Sequence, residues 1–239
     1  MNKTLLLACV ACLFATQANA ADFQQYVSTK LSRTQMQNDA DNKFLMKAGN
    51  DVVFKGGIDE NLKDDVSGIR FAYGISNDLP LLNGRIRTEI EYGLNSSTKD
   101  NGNFNFKAGH IQKAEIGNFS MKTNISTWMV NAYYDYKLTD KFAPYIGAGI
   151  GLAHIKQTGS VYMPISVWNT SYSDTAKDTE DNFAWNLSVG TGYKVTENFI
   201  ADVGYRYTNY GSIKGSSAVG SSKYELDSHE ISIGARYTF

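Results

Sequence analysis

Cysteine is almost missing from this chain: the two present, Cys9 and Cys12, both lie near the N-terminus. If the first twenty residues are removed on export, as expected below, no cysteine remains. Disulfides, thiolate metal sites and a cysteine nucleophile are then excluded together. Also missing is an apolar run long enough to cross a bilayer as a helix, which needs about 20 residues. An excess of charge of one sign is missing as well, with 23 Lys and Arg against 24 Asp and Glu. That balance gives no ground for a nucleic-acid partner.

What is present begins with an export signal. Lys3 supplies a positive end, Thr4 to Phe14 an apolar stretch, and Ala18-Asn19-Ala20 a small-x-small cleavage site. Residues 1–20 are therefore read as a signal peptide and 21–239 as one domain. A lipoprotein signal at Cys9 fits less well, because almost no apolar run precedes it. The domain is rich in aromatics, with 15 Tyr and 21 Gly in the chain, yet mean hydropathy is only −0.33. A membrane barrel gives that combination, because half of each strand faces lipid and half a polar interior.

Successive side chains of a strand point to opposite faces, so alternation is the test. At the C-terminus Ile231, Ile233, Ala235, Tyr237 and Phe239 share one face, and Ser232, Gly234, Arg236 and Thr238 the other. Comparable stretches run through Phe199–Thr208, Trp185–Tyr193, Tyr145–Leu152, Trp128–Tyr136, Arg85–Leu94 and Ile69–Ser76. The weakest lies at Tyr26–Ser32. Aromatics gather at both ends of the apolar stripe: Tyr134, Tyr136, Tyr193, Phe199, Tyr237 and Phe239 at one, Trp128, Trp185 and Tyr207 at the other. Aromatic girdles at two interfaces separate a membrane barrel from a soluble sandwich, which would also alternate. The expected fold is all-β: a transmembrane, antiparallel, up-and-down barrel of eight strands.

Connection lengths orient it. Short connections at 77–83, 137–141 and 196–198 alternate with long ones at 33–65, 95–119, 158–182 and 211–226. Short periplasmic turns and long extracellular loops are the bacterial outer-membrane plan. Within the first loop, Val52-Val53-Phe54 could extend the second strand.

Charge on the strands must point inward, since on the lipid face it costs about 2–4 kcal/mol near the midplane. The inward set is Lys30, Arg70, Arg85, Arg87, Glu89, Glu91, Asp135, Asp202, Arg206 and Arg236. Eight strands enclose a space that side chains fill, so mutual ion pairing is the favoured reading. The alternative, a selectivity lining of Arg87, Glu89 and Glu91, needs a wider lumen.

Catalytic constellations are thin. The three histidines are His110, His154 and His229. Some eight-stranded barrels cleave or transfer lipid A acyl chains with a membrane-edge His and Ser. His229 and Ser232 are three apart on one strand, so they point to opposite faces. His154 ends the fifth strand with no Asp or Ser at a telling spacing in the sequence. No catalytic residue, metal site or cofactor is expected. Gly147, Gly149 and Gly151 lie in a strand with no helix after them, so they serve wall curvature and not phosphate. The second loop is mildly basic, while the third is acidic and holds Trp168 and Tyr172. Loop aromatics of this kind are candidates for ligand binding, with packing inside the loop itself the alternative.

Three stretches carry a family likeness: Tyr134 to Gly149, Gly192 to Tyr207, and His229 to Phe239. Together they resemble the opacity (Opa-type) family of neisserial and related outer-membrane proteins. The resemblance runs from about Gly68 onward and fails in the loops. It implies an eight-stranded, porin-like surface barrel whose loops bind host-cell receptors. The final Tyr237 and Phe239 resemble the C-terminal signal read by the barrel-assembly machinery. Partners implied are that machinery with periplasmic chaperones, outer-membrane lipid and lipopolysaccharide, and a host-cell receptor or glycosaminoglycan. The sequence leaves two other functions open, a small porin and a structural envelope protein.

Overall fold

Lipid offers a strand no hydrogen-bonding partner, so every backbone N–H and C=O inside a membrane must be paired within the protein. This chain meets that demand by closing eight strands into a ring. The computed structural model describes residues 23–40, 42–48, 51–58, 62–108, 111–165, 170–217 and 220–239. The expected signal segment, 1–20, lies outside the described residues. In chain order the strands are β1 (Phe23–Ala40), β2 (Asn42–Ala48), β3 (Asp51–Ile58), β4 (Leu62–Leu79), β5 (Gly84–Asn95) and β6 (Thr98–Ala108). They continue with β7 (Ile111–Tyr136), β8 (Phe142–Ile165), β9 (Thr170–Lys194), β10 (Phe199–Ser217) and β11 (Gly220–Thr238).

The ring runs β1, β4, β5, β7, β8, β9, β10, β11 and back to β1, every neighbour antiparallel. Each of the eight alternating stretches read from the sequence falls within one of these strands. The remaining strands lie outside the ring: β6 pairs with β7, and β2 with β3. Val52-Val53-Phe54 therefore belongs to a hairpin of its own, with Phe54 opposite Met46, and does not extend β4.

The long connections are less irregular than their sequences suggest. β8 and β9 pair without a register shift from Phe142 opposite Tyr193 to Ile165 opposite Thr170. β7, β8 and β9 contain 26, 24 and 25 residues, where about 9–11 cross a bilayer. The wall thus continues on the external side as paired ribbons, on the order of 30 Å beyond the membrane at the usual strand rise and tilt.

The periplasmic turns are short and tied by side chains. After Thr139 and after Thr196 the chain makes the same turn. In each the Thr hydroxyl accepts the N–H of the phenylalanine three residues on, Phe142 at 3.0 Å and Phe199 at 3.1 Å. Asn83 takes a left-handed conformation (φ 50°), which Asn tolerates better than most residues, and its side chain donates to the Lys137 carbonyl at 3.1 Å.

Inside the membrane band the faces sort as alternation demands. Leu31, Phe71, Ile146, Leu187, Val203 and Ile233 stand exposed to the surroundings, while Lys30, Arg70, Asn186, Asp202 and Ser232 are buried inside. Glycine gives the inner side chains room. A Cβ at Gly147 would collide with the Tyr133 ring.

Candidate functional site

The lower lumen is a network of charge. Ten ionised side chains are buried there among the described residues, five basic (Lys30, Arg70, Arg87, Arg206, Arg236) and five acidic (Glu89, Glu91, Asp135, Asp202, Glu230). Arg87 grips Asp135 with two hydrogen bonds at 2.7 and 2.9 Å, and Arg236 grips Asp202 at 2.7 and 3.0 Å. Arg206 holds Glu91 at 2.5 and 2.9 Å. Arg70 clamps Glu230, its Nε donating to Oε2 at 2.8 Å. Glu89 accepts from Tyr26 and Tyr133, both at 3.0 Å, with the Lys30 ammonium at 3.5 Å. Forked arginine–carboxylate contacts fix geometry as well as charge, and no buried charge here is left without an opposite.

Of the ten inward charges read from the sequence, nine meet in this network. Arg85 is the exception. It lies at the periplasmic mouth, where its Nε contacts Asp78 at 2.6 Å. Sequence reading missed Glu230, although it is two residues before Ser232 on the same inward face.

Above the charges the interior changes character. Met36, Val66, Ile125, Met129, Ala153, Ile155, Ala184, Tyr210 and Leu226 form one buried apolar cluster, drawn from seven of the eight ring strands. Five of them, Met36, Val66, Ile125, Ile155 and Leu226, have polar neighbours in sequence that point outward: Gln35, Asp65, Asn124, Lys156 and Glu225 are exposed. The alternation has therefore changed phase. In the membrane band apolar residues face out; above it they face in, because water and not lipid now surrounds the wall. The phase change marks the outer boundary of the bilayer on the strands that show it.

The outward aromatics stand just below it. Trp128 packs on Tyr92 with ring centres 4.7 Å apart, and Trp185 on Tyr207 at 5.5 Å. At the opposite rim Tyr237 and Phe239 meet edge to face at 5.5 Å. His154 has a partner that spacing within one strand could not show. Asp181 stands opposite it on β9 and their side chains meet at 2.6 Å on the exposed outer face. The Tyr205 hydroxyl and His229 Nδ1 share a hydrogen bond at 2.6 Å. Among the described residues no group of three or more metal-binding side chains occurs. Tyr172 lies in β9 opposite Met163, near the tip of the third ribbon. Trp168 and His110 lie outside the described residues.

Comparison with known proteins agrees with this architecture. The family model for the outer membrane protein beta-barrel domain matches residues 5–239. Outer membrane protein PagN of Salmonella typhimurium is 34% identical over 112 residues, covering 47% of this chain and 44% of PagN. Opacity protein V28 of Neisseria gonorrhoeae is 27% identical over 165 residues, covering 62% of this chain and 66% of V28. The chain thus spans less than two thirds of the length of either relative. The crystal structure of neisserial surface protein A aligns at a TM-score of 0.44 with 17% identity, over 89% of this chain and 97% of that one. The chain belongs to the outer membrane protein beta-barrel domain family, and it is similar to the opacity proteins.

Proposed function

We propose that this protein is a surface adhesin whose external β-ribbons bind host cells, through a receptor or a sulfated glycosaminoglycan. The observation that carries the reading is the division of the molecule. The interior is filled by paired charges below and an apolar cluster above, while three strands run more than twice the length a membrane requires. A filled interior argues against a solute path, and a purely structural barrel has no need of such ribbons. Binding residues tend to sit where a rigid scaffold displays variable segments. The ribbon of β6 and β7 suits a polyanion: Lys99, Lys107 and Lys113 outnumber Asp100 and Glu115. The sequence running from β8 into β9 includes Trp168 and Tyr172, and aromatics of this kind anchor interfaces.

Register-matched excision tests the reading. Asn101 is opposite Ser120, and Ser160 is opposite Thr175, so 101–120 and 160–175 can each be replaced by a Gly-Ser turn without shifting a face. Heat-modifiable gel mobility reports folding, and adhesion to epithelial cells with and without soluble heparin reports function. One excision should abolish most adhesion, and Trp168→Ala with Tyr172→Ala should reproduce the loss if the third ribbon is responsible. Folded barrels that lack both ribbons and adhere like the parent would sink the proposal.

A further inference from the structure

The outer wall of β7, β8 and β9 carries a row of cations that the host-binding reading does not use. Lys122, Lys156 and Lys177 are exposed, and each lies on the outward face: their neighbours Thr123 and Ile155 are buried inside, and Lys177 shares parity with Phe183 and Trp185. The register places them side by side. Asn124 is opposite Lys156, with Lys122 two residues along β7. Lys156 is opposite Thr179, with Lys177 two residues along β9. Each step is a cross-strand diagonal, about 7–8 Å between residues. Lys99 of β6, opposite Lys122, adds a fourth cation to the same face.

Height decides what such a row meets. Trp128, Leu152 and Phe183 lie level across the three strands, where the wall leaves the hydrocarbon. The lysines are four to six residues farther out, roughly 10–15 Å above that level for a tilted strand. The flexible lysine stem lets each ammonium reach up or down from there. No carboxylate of a described residue forms an ion pair with Lys122, Lys156 or Lys177, and the outward acid nearest in register, Asp181, is engaged by His154. The opposite wall differs in sign: Glu225 is exposed there, and Arg33 is neutralised by Asp65 at 2.7 Å.

We propose that Lys122, Lys156 and Lys177 bind the phosphate groups of lipopolysaccharide in the outer leaflet, so that the barrel holds phosphorylated glycolipid on one side only. The leaflet is the occupant because the row faces sideways along the membrane plane, directly over the lipid-facing aromatics, and lies below the ribbon tips.

The test uses the full-length barrel refolded into nanodiscs of phospholipid alone or phospholipid with lipopolysaccharide, intact or enzymatically dephosphorylated. The thermal midpoint and lipopolysaccharide affinity are measured for the parent and for Lys122→Gln/Lys156→Gln/Lys177→Gln. A control replaces Lys137, Lys141 and Lys194 on the periplasmic side, matching the change in charge. Intact lipopolysaccharide should raise the parent's midpoint, and the triple variant should lose most of the rise and bind about tenfold more weakly, roughly twofold per exposed charge pair. The control should keep both. A triple variant that folds and retains the full rise overturns the proposal, and so does equal stabilisation by dephosphorylated lipopolysaccharide. Loss of heparin binding with the lipopolysaccharide response intact would assign the row to a glycan ligand and overturn it too.

Discussion

Glu230 of β11 and Arg70 of β4 are joined across β1, which stands between them in the wall, and 160 residues separate them in the chain. The pair closes the ring from inside, binding the first part of the barrel to the last. Removing one partner strands a charge in a dry interior, which costs about 3–5 kcal/mol, whereas an apolar pair of similar volume is often tolerated. Glu230→Ala should therefore lower the urea midpoint sharply, and Arg70→Met/Glu230→Leu should recover most of the loss. A single variant costing under about 1 kcal/mol would show the pair to be dispensable.

Conductance should be absent. Arg87 and Glu89 are both buried and engaged, so planar-bilayer recordings of the parent should show no steady nanosiemens openings. Stable openings whose size changes in Arg87→Gln or Glu89→Gln would establish the porin reading.

At the periplasmic mouth Asp78 accepts hydrogen bonds from Arg85 at 2.6 Å and Lys137 at 2.9 Å. Partial burial pushes its pKa up, but these two cations outweigh that and hold the carboxyl below its usual range. A carboxylate whose pKa is lower folded than unfolded stabilises the fold above the unfolded value, and the gain disappears as pH falls through the folded one. Asp78→Asn should lower the thermal midpoint at neutral pH, and the difference should close below about pH 4. The group is half exposed, so the effect should stay below about 1 kcal/mol.

Assembly should depend on the last residue. Phe239 and Tyr237 form an exposed aromatic pair at the periplasmic rim, and the Phe239 N–H donates to the Gln25 carbonyl at 3.0 Å. Deleting Phe239 should lower outer-membrane levels and raise periplasmic degradation in quantitative blots. Wild-type levels of the truncated barrel would refute its role as an assembly signal.

The membrane band was legible because its environment is two-sided: lipid outside and packed charge inside force Val27, Ile146 and Ile233 one way and Lys30, Arg87 and Arg236 the other. Glu230 escapes the alternation over Ile231–Phe239 because it lies one residue before that stretch. The ribbons were illegible for a different reason. Met36, Val66, Ile125, Ile155 and Leu226 are single apolar residues between polar ones, which looks like loop sequence. Only the reversal of phase relative to Leu31 or Trp128 shows that the strand continues with its faces exchanged. His154 with Asp181, and the lysine row, required register between strands, which spacing along one strand does not contain.

The unbroken ladder of β8 and β9 has an evolutionary consequence. Its bonds join backbone to backbone, so they tolerate exchange of almost any side chain they carry. Length is another matter: one added residue on one strand would turn every residue beyond it to the wrong face. Diversity in such a ribbon obeys a grammar, in which identities change singly while insertions come at the tip or in matched pairs. Such a ribbon can rewrite what it displays and leave the scaffold beneath untouched.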